Sequence, residues 1–368
     1  MNILFTCGGT AGHINPAVAL ARMFQERNPG CQVLFVGAKG GKEEDLVPKE
    51  GFALETVTIS SFLRSVSPSA IKHNLKTVRN LSVSKREAQR ILDQFRPDLV
   101  VGTGGYASFP VVNEAARRGI PTAVHESNAV PGLTTQRLAK VTDKVMVGYE
   151  ESRAHYDDPS KVIVTGTPVR GEFFRHTRQD ARERLGLTDD RPLLVSFWGS
   201  LGAETMNTHM IDFLRREAEA GAPFHHIHGA GRDYARMTAA LSDTALPPAL
   251  QVREYIYDMP LVMAAADLVL CRGGASTLSE LTAIGKPAVI VPSPYVTNHH
   301  QEKNANVLAR QGGAVVLLEP VCTGGVLYDT AARLLKDEGK RREMAKAMVA
   351  LGVPDAAEKI YEVLLSLL

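Results

Sequence analysis

The chain has 368 residues, room for about two domains, and its 44% hydrophobic and 22% charged content is that of a soluble globular protein. A net charge of +2 gives no overall pull toward nucleic acid, so any basic surface is local. Cys7, Cys31, Cys271 and Cys322 form no Cys-x-x-Cys pair, which argues against a disulfide framework, and no apolar run approaches the ~18 residues of a membrane span.

In chain order, residues 2–7 read as a first strand, ending in Gly8-Gly9-Thr10-Ala11-Gly12-His13, with a helix expected over 15–25. Residues 32–37 read as a second strand. Residues 68–90 have a different character: Ile71, Leu75, Val78 and Leu81 share one helical face, rimmed by Lys72, Lys76, Arg79, Lys85 and Arg86. Such a stripe can lie in a membrane interface, or it can pack on its own sheet with a solvated basic side. Residues 99–101 form an apolar run ending in Gly102-Thr103-Gly104-Gly105-Tyr106, and further strands are read at 122–125, 144–148 and 162–165. The glycine and proline punctuation of Gly166-Thr167-Pro168-Val169-Arg170 marks a boundary, followed by a charged connector over 173–191.

The same plan then repeats. Residues 193–197 run into Trp198-Gly199-Ser200-Leu201-Gly202-Ala203, and 268–271 run into Arg272-Gly273-Gly274, with a helix expected over 275–283. Strands at 224–228, 252–255, 288–292 and 314–318 complete the second half. Two similar α/β domains in tandem are expected, 1–166 and 167–353, each with a parallel sheet and glycine turns at the carboxyl ends of strands, where such sheets bind ligands. A last helix over 354–368, with Ile360, Val363, Leu364 and Leu367 as its apolar face, is expected to pack back on the first domain.

A strand, a glycine turn and a helix start aim free N–H groups and the positive end of a helix dipole at one place, which suits an anion. Glu280, in the helix after the last glycine turn, is placed either to accept hydrogen bonds from ribose hydroxyls or to face solvent. His225, His226 and His228 sit on one strand, but no matched carboxylate or cysteine accompanies them, so no metal site is expected. A nicotinamide oxidoreductase is the first alternative for the turn at 8–12. Against it, the second strand ends in Gly37-Ala38-Lys39, without the carboxylate that holds an adenosine ribose. A non-enzymatic nucleotide-binding or membrane-surface module is the second.

Read as an ordered set, the motifs resemble one family. Gly-Gly-Thr-Ala-Gly-His at 8–13, Asp-Leu-Val-Pro-Lys at 45–49, Gly-Gly-Tyr at 104–106, His-Glu-Ser-Asn at 125–128 and Gly-Thr-Pro-Val-Arg at 166–170 are matched in the first half and at the joint. Gly-Ser-Leu-Gly-Ala at 199–203, Cys-Arg-Gly-Gly-Ala at 271–275 and His-Gln-Glu-Lys-Asn-Ala at 300–305 are matched in the second. These resemble the membrane-associated N-acetylglucosaminyltransferases of peptidoglycan synthesis, the MurG family. The family more often has Gln at Leu201 and Ser127, Asn at Thr167, and Gly at Trp198.

The resemblance implies a GT-B fold, two Rossmann-like domains facing a cleft. It implies an inverting transfer from UDP-N-acetylglucosamine to a lipid-linked N-acetylmuramyl pentapeptide, with no cofactor, on the cytoplasmic face of the membrane. The runner-up is another sugar-nucleotide enzyme of that fold, with a different acceptor or acting as an epimerase. Donor contacts are implied for Arg170, Ser200, Ile256, Ala275, Ser276, Thr277, Leu278, Ser279, Glu280 and Gln301, and for Asn128 on the transferred sugar. Thr10, Ala11 and Gly12 are expected to form an anion site in the first domain. His13 is the first choice for the base and Glu126 the second. The membrane reading of 68–90 gains from the same resemblance.

Overall fold

A computed structural model describes residues 1–60, 68–199 and 202–368, and the side chains of all of these except Ala11 and residues 68–79. The chain divides into two compact units. One is Met1–Val169 with Val353–Leu368, the other Arg170–Gly352.

In the first unit seven parallel strands lie in the order β3-β2-β1-β4-β5-β6-β7. They are β1 Asn2–Thr6, β2 Gln32–Ala38, β3 Ala53–Val57, β4 Leu99–Gly102, β5 Thr122–Glu126, β6 Lys144–Val147 and β7 Val162–Val164. The second unit has six, in the order β10-β9-β8-β11-β12-β13. These are β8 Leu193–Phe197, β9 His225–Gly229, β10 Leu250–Arg253, β11 Leu268–Cys271, β12 Ala288–Ile290 and β13 Ala314–Val316. Most inner strands, with the histidine-bearing β9 and Ser196 of β8 as exceptions, are apolar on both faces because helices cover both. Thus Ile3 and Phe5 of β1 enter one core with Leu20, Phe24 and Phe35, while Leu4 enters the other with Val36, Val100 and Val111.

In each sheet the strand order reverses between two central neighbours, β1 and β4 in the first and β8 and β11 in the second. The four glycine turns follow those four strands. Helices leaving two such neighbours depart to opposite faces, so a crevice opens at their carboxyl ends.

Several elements differ from the sequence reading. The first helix runs Ala11–Arg27, starting four residues before the expected position, because Thr10 is extended (φ −142°, ψ 153°) and the chain turns helical at once. Gly12 and His13 are therefore first-turn residues rather than loop. β3 was not among the expected strands; its burial is partial, as suits an edge. The basic amphipathic segment is a helix, Pro68–Phe95. The side chains of Ile71, Lys72, Leu75, Lys76 and Val78 lie outside the described residues. Leu81 is a correction to the membrane face: it is half-buried and packs on the core that holds Ala88, Ile91 and Leu92.

The helix Ala356–Leu365 lies in the first unit against Ala11–Arg27. Ile360 and Leu364 are fully buried, the Tyr361 and Phe24 rings are 4.8 Å apart, and Asn28 Nδ2 donates to the Tyr361 hydroxyl at 2.9 Å. Arg27 pairs with Glu358 beside them. Among the described residues no helix is long and apolar enough to cross a membrane.

Candidate active site

The glycine turn after β1 is held from three sides. Gly105, at φ +81°, passes so close to Gly8 that a Cβ would lie 2.2 Å from the Gly8 carbonyl oxygen, so no side chain fits. Gly104, at φ +109°, leaves room for the His13 ring, which a Cβ there would meet at 2.7 Å. From below, the fully buried Glu43 accepts a hydrogen bond from the Gly9 amide.

His13 is fixed by this frame. Its Nδ1 lies 2.6 Å from the Gly8 carbonyl oxygen, which can only accept, so Nδ1 carries the proton and Nε2 is left as the basic nitrogen. Thr103 Oγ1 donates to the His13 carbonyl at 2.7 Å and anchors the same residue from β4's turn. The first-turn amides of Ala11 and Gly12 have no acceptor within the helix, as for any helix start.

Glu126, at the end of β5, is buried and fully engaged. Oε1 accepts from the Asn128 amide at 3.1 Å and from Asn128 Nδ2 at 2.8 Å, and Oε2 accepts from the Gly132 amide at 2.9 Å. It organises the loop over 127–132, and the Asn128 side chain is turned onto it.

In the second unit a cavity of about 160 Å³ is lined by Arg170, Gly199, Gly229, Gly231, Tyr255, Ile256 and Glu280, among others. Ile256 is buried against Gly229. Burial pushes the Glu280 carboxyl up to about 7, and the Arg170 guanidinium pulls it part of the way back. Arg170 itself lies over the Phe173 ring at 5.3 Å.

The helix Ala275–Ala283 starts directly after the extended Gly274. Its first three amides, on Ala275, Ser276 and Thr277, lack helix acceptors, and the buried Ser276 Oγ has no partner among the described residues. Leu278 and Ser279 are corrections to the expected cradle. The Leu278 amide donates to the Gly274 carbonyl and its side chain is fully buried, while Ser279 Oγ donates to the Ala275 carbonyl. A helix offers free amides only in its first turn, and both residues lie beyond it.

A second cavity in this unit, about 300 Å³, is lined by Trp198, Gly202, Arg272, Ser293, Tyr295 and Gln301 among others. Gln301 Oε1 accepts from the Ser293 amide at 2.9 Å, so Nε2 is its outward donor. Arg272 is half-buried between the Glu319 carboxylate at 2.6 Å and the Trp198 ring. Ser200 lies outside the described residues. A cavity of about 390 Å³ in the first unit shares no residue with these loops; its Lys140 is already paired with Asp157.

Residues 3–147 match the glycosyltransferase family 28 N-terminal domain and 193–360 the family 28 C-terminal domain. A UDP-N-acetylglucosamine–N-acetylmuramyl-(pentapeptide) pyrophosphoryl-undecaprenol N-acetylglucosamine transferase from Acetivibrio thermocellus is 41% identical over 99% of this chain and 97% of its own length. The chain belongs to the MurG family. The crystal structure of Acinetobacter baumannii MurG superposes with a TM-score of 0.79 at 27% identity, covering 99% of both chains. A UDP-GlcNAc 2-epimerase from Neisseria meningitidis, bound to UDP-GlcNAc, matches at a TM-score of 0.65 and 16% identity over 100% of both chains, a likeness of fold alone. The two Rossmann-like units are thus those of the GT-B glycosyltransferases, and the chain is a glycosyltransferase.

Within this MurG-family chain, sequence reasoning missed Glu43, Tyr255 and the turn over 229–231. Glu43 sits five residues past the end of β2, on the helix Glu43–Lys49, where nothing local marks its reach to Gly9. The glycines at 229 and 231 carried a signal, since they follow a strand as the other four turns do.

Proposed function

We propose that this chain transfers N-acetylglucosamine from UDP-N-acetylglucosamine to the undecaprenyl-diphosphate-linked N-acetylmuramyl pentapeptide, making the lipid-linked disaccharide of peptidoglycan. The observation that carries the reading is the 41% identity, over 99% of the chain, to a transferase whose name states those substrates.

The second unit is read as the donor site. Uracil lies against Ile256, and the Glu280 carboxylate accepts from the ribose hydroxyls. The diphosphate meets the first-turn amides over 275–277, Ser200 and Arg170. Gln301 donates through Nε2 to a hydroxyl of the transferred sugar. The acceptor hydroxyl attacks the anomeric carbon as the bond to UDP breaks, with inversion. Negative charge grows on the departing diphosphate, and a helix N-terminus with a guanidinium stabilises it there.

The first unit is read as the acceptor side, with Thr10, Ala11 and Gly12 meeting the lipid diphosphate. His13 Nε2 takes the proton from the attacking hydroxyl, because the Gly8 carbonyl holds the other ring proton in place. Both Glu126 oxygens are already spent on its own loop, so we assign Glu126 and Asn128 to shaping that loop. Attachment to the cytoplasmic face of the membrane, through the helix Pro68–Phe95, brings the enzyme to its lipid-linked substrate.

The test is transfer of labelled sugar from UDP-N-acetylglucosamine to a lipid I analogue. Wild-type protein makes the disaccharide; His13→Ala lowers kcat by on the order of a hundredfold while UDP affinity stays within about twofold. Release of an isomerised sugar nucleotide, with no acceptor consumed, would favour the epimerase reading instead.

A further inference from the structure

Beneath the nucleoside pocket runs a line of buried polar side chains that the proposed chemistry does not use. Glu217 Oε2 lies 2.7 Å from His226 Nδ1, and His226 Nε2 lies 2.8 Å from Ser196 Oγ. Ser196 Oγ lies 2.7 Å from His228 Nδ1, and His228 Nε2 lies 3.2 Å from Asn207 Oδ1. All five are fully buried. The strands explain the alignment: β8 and β9 pair with Ser196 opposite His228, and His226 lies two residues back on the same face. Asn207 and Glu217 come from one helix, Glu204–Glu219, packed over them.

Counting donors orients the whole line. Asn207 Nδ2 faces two acceptors, the Ala230 carbonyl at 2.8 Å and Asp233 Oδ2 at 3.0 Å, which settles the amide. Asn207 Oδ1 then needs a donor, so His228 carries its proton on Nε2. Burial holds His228 neutral, depressing it to about 3, with His226 adding to the effect, so Nδ1 is an acceptor and Ser196 donates to it. The Ser196 oxygen accepts from His226 Nε2. One proton remains for the contact between His226 Nδ1 and Glu217, a carboxyl that burial pushes upward. Glu217 Oε1 has no partner among the described residues, which a protonated carboxyl tolerates better than a carboxylate.

The line ends at the pocket. Ala230, which Asn207 holds, stands between Gly229 and Gly231, and both of these line the nucleoside cavity. A Cβ on Gly202 would lie 2.5 Å from the Ala230 carbonyl oxygen, so the turn after β8 passes close against the turn after β9. We propose that Glu217, His226, Ser196 and His228 are positioning residues for donor binding: they hold the Asn207 amide in the one orientation that pins the 229–231 turn. This rests on the reading of the second unit as the uridine diphosphate site.

The test pairs calorimetric UDP binding with two-bond proton–nitrogen spectra of histidine-labelled protein. Wild-type His228 should be the Nε2–H tautomer and His226 should carry a proton on Nε2; a His228 proton on Nδ1 would overturn the proposal without any variant. Ser196→Ala leaves His228 Nδ1 without a donor, and the UDP Kd should rise about tenfold with kcat at saturating donor unchanged. Ser196→Thr, which restores the hydroxyl, should return Kd to near the wild-type value. A merely structural role would lower the unfolding midpoint with Kd unmoved, and that result refutes positioning. Failure of the wild-type protein to bind UDP would instead remove the donor reading.

Discussion

Glu280 shows how one residue's surroundings set its chemistry. Its carboxyl is pushed up to about 7 by burial, against the pull of Arg170. In the proposed ribose role the ionised carboxylate is the stronger acceptor of both hydroxyls, so donor binding should strengthen as pH rises through that value. We expect the ratio of wild-type to Glu280→Gln affinity for UDP to grow about tenfold between pH 6 and pH 8; a ratio flat with pH would remove the ribose role. Using the ratio cancels the titration of the nucleotide's own phosphate. Stability of the free protein moves the other way. A carboxyl raised above its ordinary value of 4.5 keeps its full contribution below that pH and loses it as pH climbs toward 7. Only the tertiary structure shows this, because the burial comes from residues distant in the chain.

Among the elements, the helix Pro68–Phe95 is proposed to serve two ends, core and membrane. Its carboxyl-terminal part is core: Ala88, Ile91 and Leu92 are buried and Leu81 packs beside them. The amphipathic spacing over 71–81 fits either a membrane or a sheet, and Leu81 falls to the sheet. The proposed membrane role therefore rests on Ile71, Leu75 and Val78, with Lys72 and Lys76. Changing those three apolar residues to serine should reduce binding to vesicles containing anionic lipid by about tenfold or more, with UDP affinity unchanged. Equal vesicle binding by the variant would mean that they, like Leu81, serve the fold. The glycine-turn helices illustrate a different limit. Periodicity marks the helix Ala275–Ala283, yet it cannot say which amides are spent, and the run of free amides ends at Thr277 because the Leu278 amide is already bonded.

At the scale of the molecule, the chain returns to its first unit at the end. Tyr361 is buried against Phe24, and its hydroxyl accepts from Asn28. Tyr361→Ala should destabilise the first unit by about 3 kcal/mol in urea unfolding, from lost burial and the cavity left behind. UDP binding, read as a property of the second unit, should persist in native buffer. An unshifted unfolding midpoint would mean that this helix contributes little to the first unit.

The repeated pattern of apolar run and glycine turn was enough to announce two parallel sheets with glycine turns at the carboxyl ends of their strands, because strand burial and tight turns are local demands on residue type. The motif set was likewise enough to suggest the family, to which 41% identity over nearly the whole chain then bore witness. Pairing was decided only by the fold. Glu43 reaches Gly9 across two elements, Glu126 turns back on its own loop, and Ser196, His226 and His228 meet Asn207 and Glu217 through strand register and helix packing. Such contacts join residues up to tens of positions apart, and no local propensity encodes a hydrogen-bond partner.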